Sequence, residues 1–121
     1  MAVKRQERLR HRKDFDAVYR RGRSWNNELL VLRTLTNDLT HNRYGFVTSK
    51  RVGKAVVRNR VRRLVSESLR ALQLRRGWDI VVSAKATTAA AGLHDINRAV
   101  VDLLVKADLL EDRTQEGSAS L

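Results

Sequence analysis

The sequence predicts an α/β sandwich in which a four-stranded, mainly antiparallel sheet packs against three helices. Segments that alternate with the period of a strand are interspersed with segments whose apolar residues recur every three to four positions, as in a helix. Their order is helix, three strands, helix, strand, helix, and such mixed orders form a sheet covered by helices. The chain has 121 residues, which is enough for one domain with a real core. We place this domain at residues 13–110, between a basic arm (1–12) and a disordered tail (111–121).

The first helix is predicted over Lys13–Arg21, with Asp14 as its cap and Gly22 at its end. Phe15 and Tyr19 are four residues apart and therefore share one face. Aromatic residues at this spacing belong more often to a core than to a ligand site. Spacing alone therefore favours a core position for both rings.

Two alternating segments predict the next strands, Glu28–Thr36 and Arg43–Ser49, with a turn between them. In the first strand, one row holds Leu30, Leu32 and Thr34, and the other holds Leu29, Val31, Arg33 and Leu35. In the second strand, one row holds Gly45, Val47 and Ser49. Trp25 can open a further short strand. The small second row leaves room for a ligand or for a closely packed helix, and periodicity does not choose between them.

A basic segment follows, with seven Lys or Arg residues and no acid between Lys50 and Arg63. We predict a helix over Ala55–Leu74, which aligns one apolar stripe: Val57, Val61, Leu64, Val65, Ser68 and Leu72. The stripe can pack on the sheet while the arginines flank it. A solvated charged face is the simpler alternative, but such faces usually contain interspersed acids.

The remaining elements are a buried strand over Trp78–Ala84, a low-complexity linker over Thr87–Gly92 and a final amphipathic helix from Leu93 to Ala107. The outer face of this last helix carries mixed charges. It therefore has no electrostatic preference for a polyanion.

Charge is concentrated in the first half of the chain. The net charge is +12, and residues 1–63 hold 18 Lys and Arg against 5 Asp and Glu. Such a surface favours phosphate contacts. The chain has no Cys, which fits a reducing cytosol. We find no signal peptide and no membrane span, and therefore expect a cytoplasmic protein without a membrane partner.

The sequence contains no arrangement expected of a self-sufficient nuclease. The acids of the basic half are scattered, and Asp14 and Asp16, two residues apart on a helix, point away from each other. The histidines His11, His41 and His94 are also dispersed. We therefore expect no catalytic residue, no metal site and no protein-bound cofactor in this chain.

The basic segment resembles the signature of the bacterial ribonuclease P protein component. The resemblance rests on Lys50-Arg51 followed by Gly53, then Arg58-Asn59-Arg60 with Arg62-Arg63. It extends from about residue 8 to residue 106. It implies that the protein is a subunit of an endoribonuclease that removes the 5′ leader of precursor tRNA. Catalysis and the required Mg²⁺ would belong to the RNA subunit, and no obligate protein partner is implied.

The resemblance also implies site residues. The positions that match the RNA-docking motif and its extension are Lys50, Arg51, Lys54, Arg58, Asn59, Arg60, Arg62 and Arg63. Phe15 and Tyr19 match aromatic residues that line a groove for the single-stranded leader, which reverses the preference for a core position. We extend this groove over Val31, Arg33, Val47 and Ser49. Many members have an aromatic residue near Arg33, so leader binding here would depend more on charge.

Two further expectations complete the prediction. The family resemblance implies a left-handed strand-helix-strand crossover around the basic helix, although such crossovers are right-handed in nearly all proteins. The alternative function is a non-catalytic basic RNA-binding module, such as a ribosomal or nucleoid-associated protein. The aromatic helix and the small-residue strand favour the first function, because duplex binders need no groove for a single strand.

Overall fold

The computed structural model of the protein describes residues 7–111. Residues 1–6 of the predicted arm and 112–121 of the predicted tail lie outside the described residues. The elements in chain order are helix α1 (Arg12–Arg21), strands β1 (Arg23–Asn26), β2 (Leu30–Thr36) and β3 (Arg43–Thr48), helix α2 (Ala55–Arg70), strand β4 (Trp78–Ala84) and helix α3 (Leu93–Lys106). Three helices and a four-stranded sheet confirm the predicted fold class, and β1 is the short strand expected around Trp25.

The sheet is mixed, with the strand order β1-β2-β4-β3. The β1–β2 and β2–β4 pairs are antiparallel, whereas β3 and β4 are parallel. Helix α2 therefore forms the crossover between two parallel neighbours, and β3 lies at the edge of the sheet. The left-handed sense expected for this crossover stays a prediction.

Helices α2 and α3 cover one face of the sheet and enclose the larger core. Leu30, Leu32 and Ile80 of the strands are at most 1% exposed, and they share one cluster with Val61 of α2 and Leu103 of α3. The alternation predicted for β2 is confirmed, since Leu30, Leu32 and Thr34 are all buried. The apolar stripe of the basic helix therefore faces the sheet, as its spacing indicated.

Helix α1 covers part of the opposite face. Val18 of α1 and Val81 of β4 are fully buried together, and Leu9 packs with them at 3% exposure. The backbone N–H of Leu9 donates to the carbonyl oxygen of Tyr44 at 2.8 Å, which attaches the segment before α1 to the edge strand β3. The last part of the predicted arm is thus packed on the domain, because Leu9 supplies the apolar contact that its basic neighbours lack.

Two local predictions were wrong, and a third segment has more regular structure than its composition indicated. Helix α2 ends at Arg70, because Leu74 instead pairs with Leu110 after the end of α3. Asp14 does not cap α1, whose N-cap is His11. The predicted linker after β4 contains a 3₁₀ turn, Ala86–Ala90. Its Thr88 is fully buried and donates from Oγ1 to the Lys85 carbonyl at 2.7 Å.

Gly22 joins α1 to β1 where two backbones come close together. A Cβ at this position would lie 2.4 Å from the carbonyl oxygen of Val18 and 2.6 Å from that of Thr34. We expect Gly22→Ala to lower the free energy of unfolding by about 1 to 3 kcal/mol, as overpacking against rigid neighbours does. Urea denaturation measures this change. Gly92→Ala is the control, since a Cβ there meets nothing within 4 Å, and equal costs at both glycines would contradict the close approach.

Candidate RNA interface

The basic segment begins in a tight turn between β3 and α2. Lys50–Val52 forms one 3₁₀ turn, and Ser49 before it accepts a hydrogen bond from the Arg51 backbone N–H. Gly53 follows with φ 146° and ψ −163°, a region that essentially only glycine occupies. The glycine thus lets the chain reverse into α2, while the exposed side chains of Lys50, Arg51 and Lys54 flank the turn.

Three exposed residues in the first half of α2 are held by polar contacts within the helix. Arg62 donates from its guanidinium to the side-chain oxygen of Asn59. Arg63 lies 3.8 Å from Glu67, four residues later, as a weak exposed ion pair. Asn59, Arg62 and Arg63 therefore lie on one exposed side of the helix, with their donors largely free for a further anion.

Arg58 and Arg60 differ from the other cations of the segment because both are half-buried. The guanidinium of Arg60 donates to the carbonyl oxygen of Ala91 at 2.6 Å, which ties α2 to the turn before α3. The Nε atom of Arg58 is buried and has no hydrogen-bond partner among the described residues. Arg60 therefore has a structural role that its charge pattern did not reveal, because its acceptor is a backbone carbonyl 31 residues away.

On the opposite face of the sheet, Phe15 of α1 lies directly over Gly45 of β3. A Cβ on Gly45 would come within 2.6 Å of the Phe15 ring. The ring is half-buried and packs against the small cluster around Val18 and Val81. The small-residue row of β3 thus serves close helix packing at Gly45, which was one of the two interpretations left open by the sequence.

Tyr19, one turn later on α1, is 44% exposed. The guanidinium carbon of Arg33 lies 4.6 Å from the centre of its ring, which is a cation–π contact. Arg33 therefore extends from β2 over the exposed ring of Tyr19. Together the two side chains present a flat, cationic surface to solvent.

Next to α1, one row of half-buried side chains, here called the open row, crosses three strands on the same face of the sheet. Val31, Ser83 and Val47 are adjacent in register across β2, β4 and β3, and all three are half-buried. Asn26 of β1 lies beside Val31 and continues the row. At the other side of the sheet, Ser49 is the first residue after the end of β3. The open row therefore leads into the basic turn at Lys50.

Ser83 and Asn26 were missed by the sequence analysis, and so was Ser24, which is paired with Arg33. Each lies on the strand face opposite the core. A signal for Ser24 and Asn26 was present, because they flank Trp25, whose ring packs against the larger core. Strict alternation would have placed both on the face of Arg33.

Comparisons with known proteins show which family the chain belongs to. The family model described as Ribonuclease P matches residues 3–108. The chain belongs to the ribonuclease P protein family. The ribonuclease P protein component of Dehalococcoides mccartyi strain CBDB1 is 40% identical over 116 residues, 96% of this chain and 97% of the relative. That of Clostridium botulinum strain 657 is 42% identical over 108 residues, 87% of this chain and 97% of the relative.

Solved structures of ribonuclease P proteins share the fold. The Staphylococcus aureus protein superposes with a TM-score of 0.80 at 26% identity and covers 87% of this chain and 98% of its own. The Thermotoga maritima protein gives 0.71 at 29% identity, with 79% and 93% covered. As a ribonuclease P protein component, the chain acts with an RNA subunit in the maturation of tRNA 5′ ends.

In this ribonuclease P protein, a charged network fixes α1 on the sheet. Asp79 of β4 is 4% exposed. Arg43 of β3 donates to both of its carboxylate oxygens, at 2.8 and 2.7 Å, and lies 3.4 Å from Asp14 of α1. The hydrogen bond to Asp79 raises the pKa of Arg43. Asp14 therefore serves as an anchor that positions the helix carrying Phe15 and Tyr19.

Neither a membrane span nor a metal cluster is found within residues 7–111, the part of the chain that the structure describes. No helix in that range is long and apolar enough to cross a membrane. Within the same range, no group of three or more His, Asp or Glu side chains could hold a metal ion.

Proposed function

We propose that the protein joins two RNAs, the catalytic RNA subunit of ribonuclease P and the precursor tRNA, through two adjoining surfaces. The observation that supports this proposal most directly is their continuity. The open row on the sheet reaches Ser49, and the exposed cations begin at the next residue, Lys50. A leader lying along the sheet would therefore end beside the surface that docks the RNA subunit.

We assign docking of the RNA subunit to the basic turn and the exposed side of α2. Lys50, Arg51 and Lys54 supply the free cations, and Arg62 and Arg63 supply guanidinium groups oriented by neighbouring side chains. Asn59 belongs to the same surface through Arg62. Arg58 and Arg60 would contribute charge from half-buried positions, and Arg60 would do so while bonded to Ala91.

We assign the single-stranded 5′ leader to the groove between α1 and the open row. Tyr19 with Arg33 offers one stacking surface, and stacking of a base on an aromatic or guanidinium plane does not depend on sequence. Val31, Val47 and Ser49 would form the floor, with Ser83 between them. Phe15 contacts Gly45, so its ring would close the groove from the side of α1.

In this proposal, hydrolysis and the Mg²⁺ that supports it belong to the RNA subunit. The protein's part is electrostatic, because two polyanions must approach each other closely and a basic subunit between them offsets their repulsion. Precursor tRNA is the substrate, and the cytoplasm, where bacterial transcripts are processed, is the expected location. The alternative of a ribosomal or nucleoid-associated binder requires no open groove, so the groove favours the ribonuclease P role.

Replacing Tyr19 tests the groove. We expect Tyr19→Ala to weaken binding of a precursor with a several-nucleotide leader by about 1 to 3 kcal/mol, the stacking energy of a base on the ring. Affinity for mature tRNA, which has no leader, should stay the same. The measurement is the ratio of the two affinities for the holoenzyme, in which any loss of folded protein cancels.

Leu39→Ala is the matched control, because Leu39 is similarly exposed, at 41%, and lies in the loop at the other end of β2 and β3. It should leave the ratio at the wild-type value. If Tyr19→Ala also leaves the ratio unchanged, the leader does not stack on this helix.

A further inference from the structure

A cleft of about 680 Å³ lies at the outer edge of β3. It shares Asn59, Arg62 and Arg63 with the surface assigned to RNA docking, and Phe15 with the groove assigned to the leader. The segment before α1 forms one wall and the exposed side of α2 forms the other. The edge strand lies between them, at Tyr44 to Phe46. The volume of the cleft falls within the roughly 300 to 1,000 Å³ that is typical of small-ligand sites.

The lining of the cleft combines cationic and apolar side chains. Arg8 on one wall and Arg62 and Arg63 on the other place three guanidinium groups around its rim, against one carboxylate, Glu67. Leu9 and the Phe15 ring supply apolar surface inside it. A phosphate at the rim with a flat base inside matches this distribution of charge and apolar surface.

Polar groups of α2 and of the edge strand β3 face the cleft. Ser66 lines the cleft and is 7% exposed, and its hydroxyl has no hydrogen-bond partner among the described residues. The Tyr44 carbonyl points outward from the sheet to Leu9. Because strand residues alternate, the backbone N–H and C=O of Phe46 point to the same side. Hydrogen-bonding groups are thus available at the depth that a base edge would reach.

We propose that this cleft holds one unpaired nucleotide of the RNA partner, whose base carries an exocyclic amino group. The proposal rests on the proposed function for the identity of the partner. Glu67 is the reason for the base preference, because its carboxylate accepts hydrogen bonds from amino groups. Adenine, cytosine and guanine have such a group and uracil has none. Arg8, which the sequence analysis did not assign to any site, becomes a binding residue.

Titration of the ¹⁵N-labelled full-length chain with AMP, CMP, GMP, UMP and ribose 5-phosphate tests the proposal. The amides of Phe46, Ser66 and Glu67 should shift and saturate with the three amino-bearing nucleotides. UMP should bind several-fold more weakly, and ribose 5-phosphate at least about fivefold more weakly, because it has no base to stack. Equal shifts with all five probes, or none at these amides, would overturn the proposal.

Three variants separate the cleft from general basicity. Arg8→Gln should weaken AMP binding, whereas Arg10→Gln, an exposed arginine two residues away that does not line the cleft, should not. Ser66→Leu should fill the cleft and abolish the shifts; where this variant fails to fold, the Arg8 and Arg10 pair decides. Equal effects of the two arginine variants would overturn the proposal. So would an acidic hexapeptide that binds the same amides more tightly than AMP, because the edge strand would then serve a peptide.

The proposed function is checked on the same protein by its affinity for a bacterial ribonuclease P RNA. RNA binding without shifts in the cleft refutes the nucleotide site and leaves the proposed function intact. Saturable shifts in the cleft without binding of the RNA subunit support nucleotide binding by the cleft and refute the proposed function.

Discussion

Arg43→Ala should lower the free energy of unfolding by about 3 kcal/mol, because it leaves the Asp79 carboxylate buried without its cation. We expect the low end of the range for such pairs. A quarter of the Arg43 side chain is exposed, and Asn37 still donates to Asp79 at 2.9 Å. Urea denaturation provides the measurement. Arg76→Ala, which removes an exposed cation, should change stability by no more than about 0.5 kcal/mol.

The double variant Arg43→Ala/Asp79→Ala identifies the cause. If the cost arises from an unpaired buried acid, removing that acid as well should restore part of the stability. A double variant that is less stable than Arg43→Ala by a further full increment would mean that the two side chains contribute through packing. The anchoring of α1 to the sheet through Asp14 and Arg43 would then need another explanation.

Replacing Lys50, Arg51 and Lys54 together by Gln should weaken binding to the RNA subunit by roughly a hundredfold near physiological salt. The slope of log K against log salt concentration is negative, and each phosphate that a cation no longer neutralises reduces its magnitude by about 0.7 to 0.9. The magnitude should therefore decrease by about 2 to 3. Folding should survive, because all three side chains are exposed and Gly53, whose backbone conformation essentially only glycine adopts, is unchanged.

A second triple variant controls for net charge. Arg70, Arg76 and Arg98 are also exposed cations, but they lie outside the basic turn and the first half of α2. Their replacement by Gln changes the net charge equally and should leave the slope near its wild-type value. An equal decrease of the slope in both triple variants would mean that RNA binds through diffuse charge and not through the assigned surface.

The local sequence pattern predicted most of the helices and strands. Alternation in β2 placed Leu30, Leu32 and Thr34 in the core correctly, and helical spacing placed Val61 and Val65 against the sheet. These predictions succeed because burial of one face is imposed by the period of the element itself. The family followed from the basic motif, and the comparisons confirmed it.

What local pattern could not supply were contacts between distant residues. The Arg60 hydrogen bond to the Ala91 carbonyl spans 31 residues, and the Arg43 contact with Asp79 spans 36. Both depend on tertiary packing, since the first joins α2 to the turn before α3 and the second joins the neighbouring strands β3 and β4. The pairing of Leu74 with Leu110 has the same origin. It accompanies the end of α2 at Arg70, before the predicted end at Leu74. The RNA-docking and leader-binding residues remain predictions, because their test requires the RNAs themselves.

The central claim is that this chain supplies binding and electrostatics to a ribonucleoprotein whose RNA performs the cleavage. The most direct test is cleavage of a precursor tRNA at low Mg²⁺ by the protein alone, by a bacterial ribonuclease P RNA alone and by both together. We expect cleavage at the 5′ end of the mature tRNA only with both, and recovery of cleavage by the RNA alone at high Mg²⁺. Cleavage by the protein alone, or no stimulation of the RNA at low Mg²⁺, would contradict the claim.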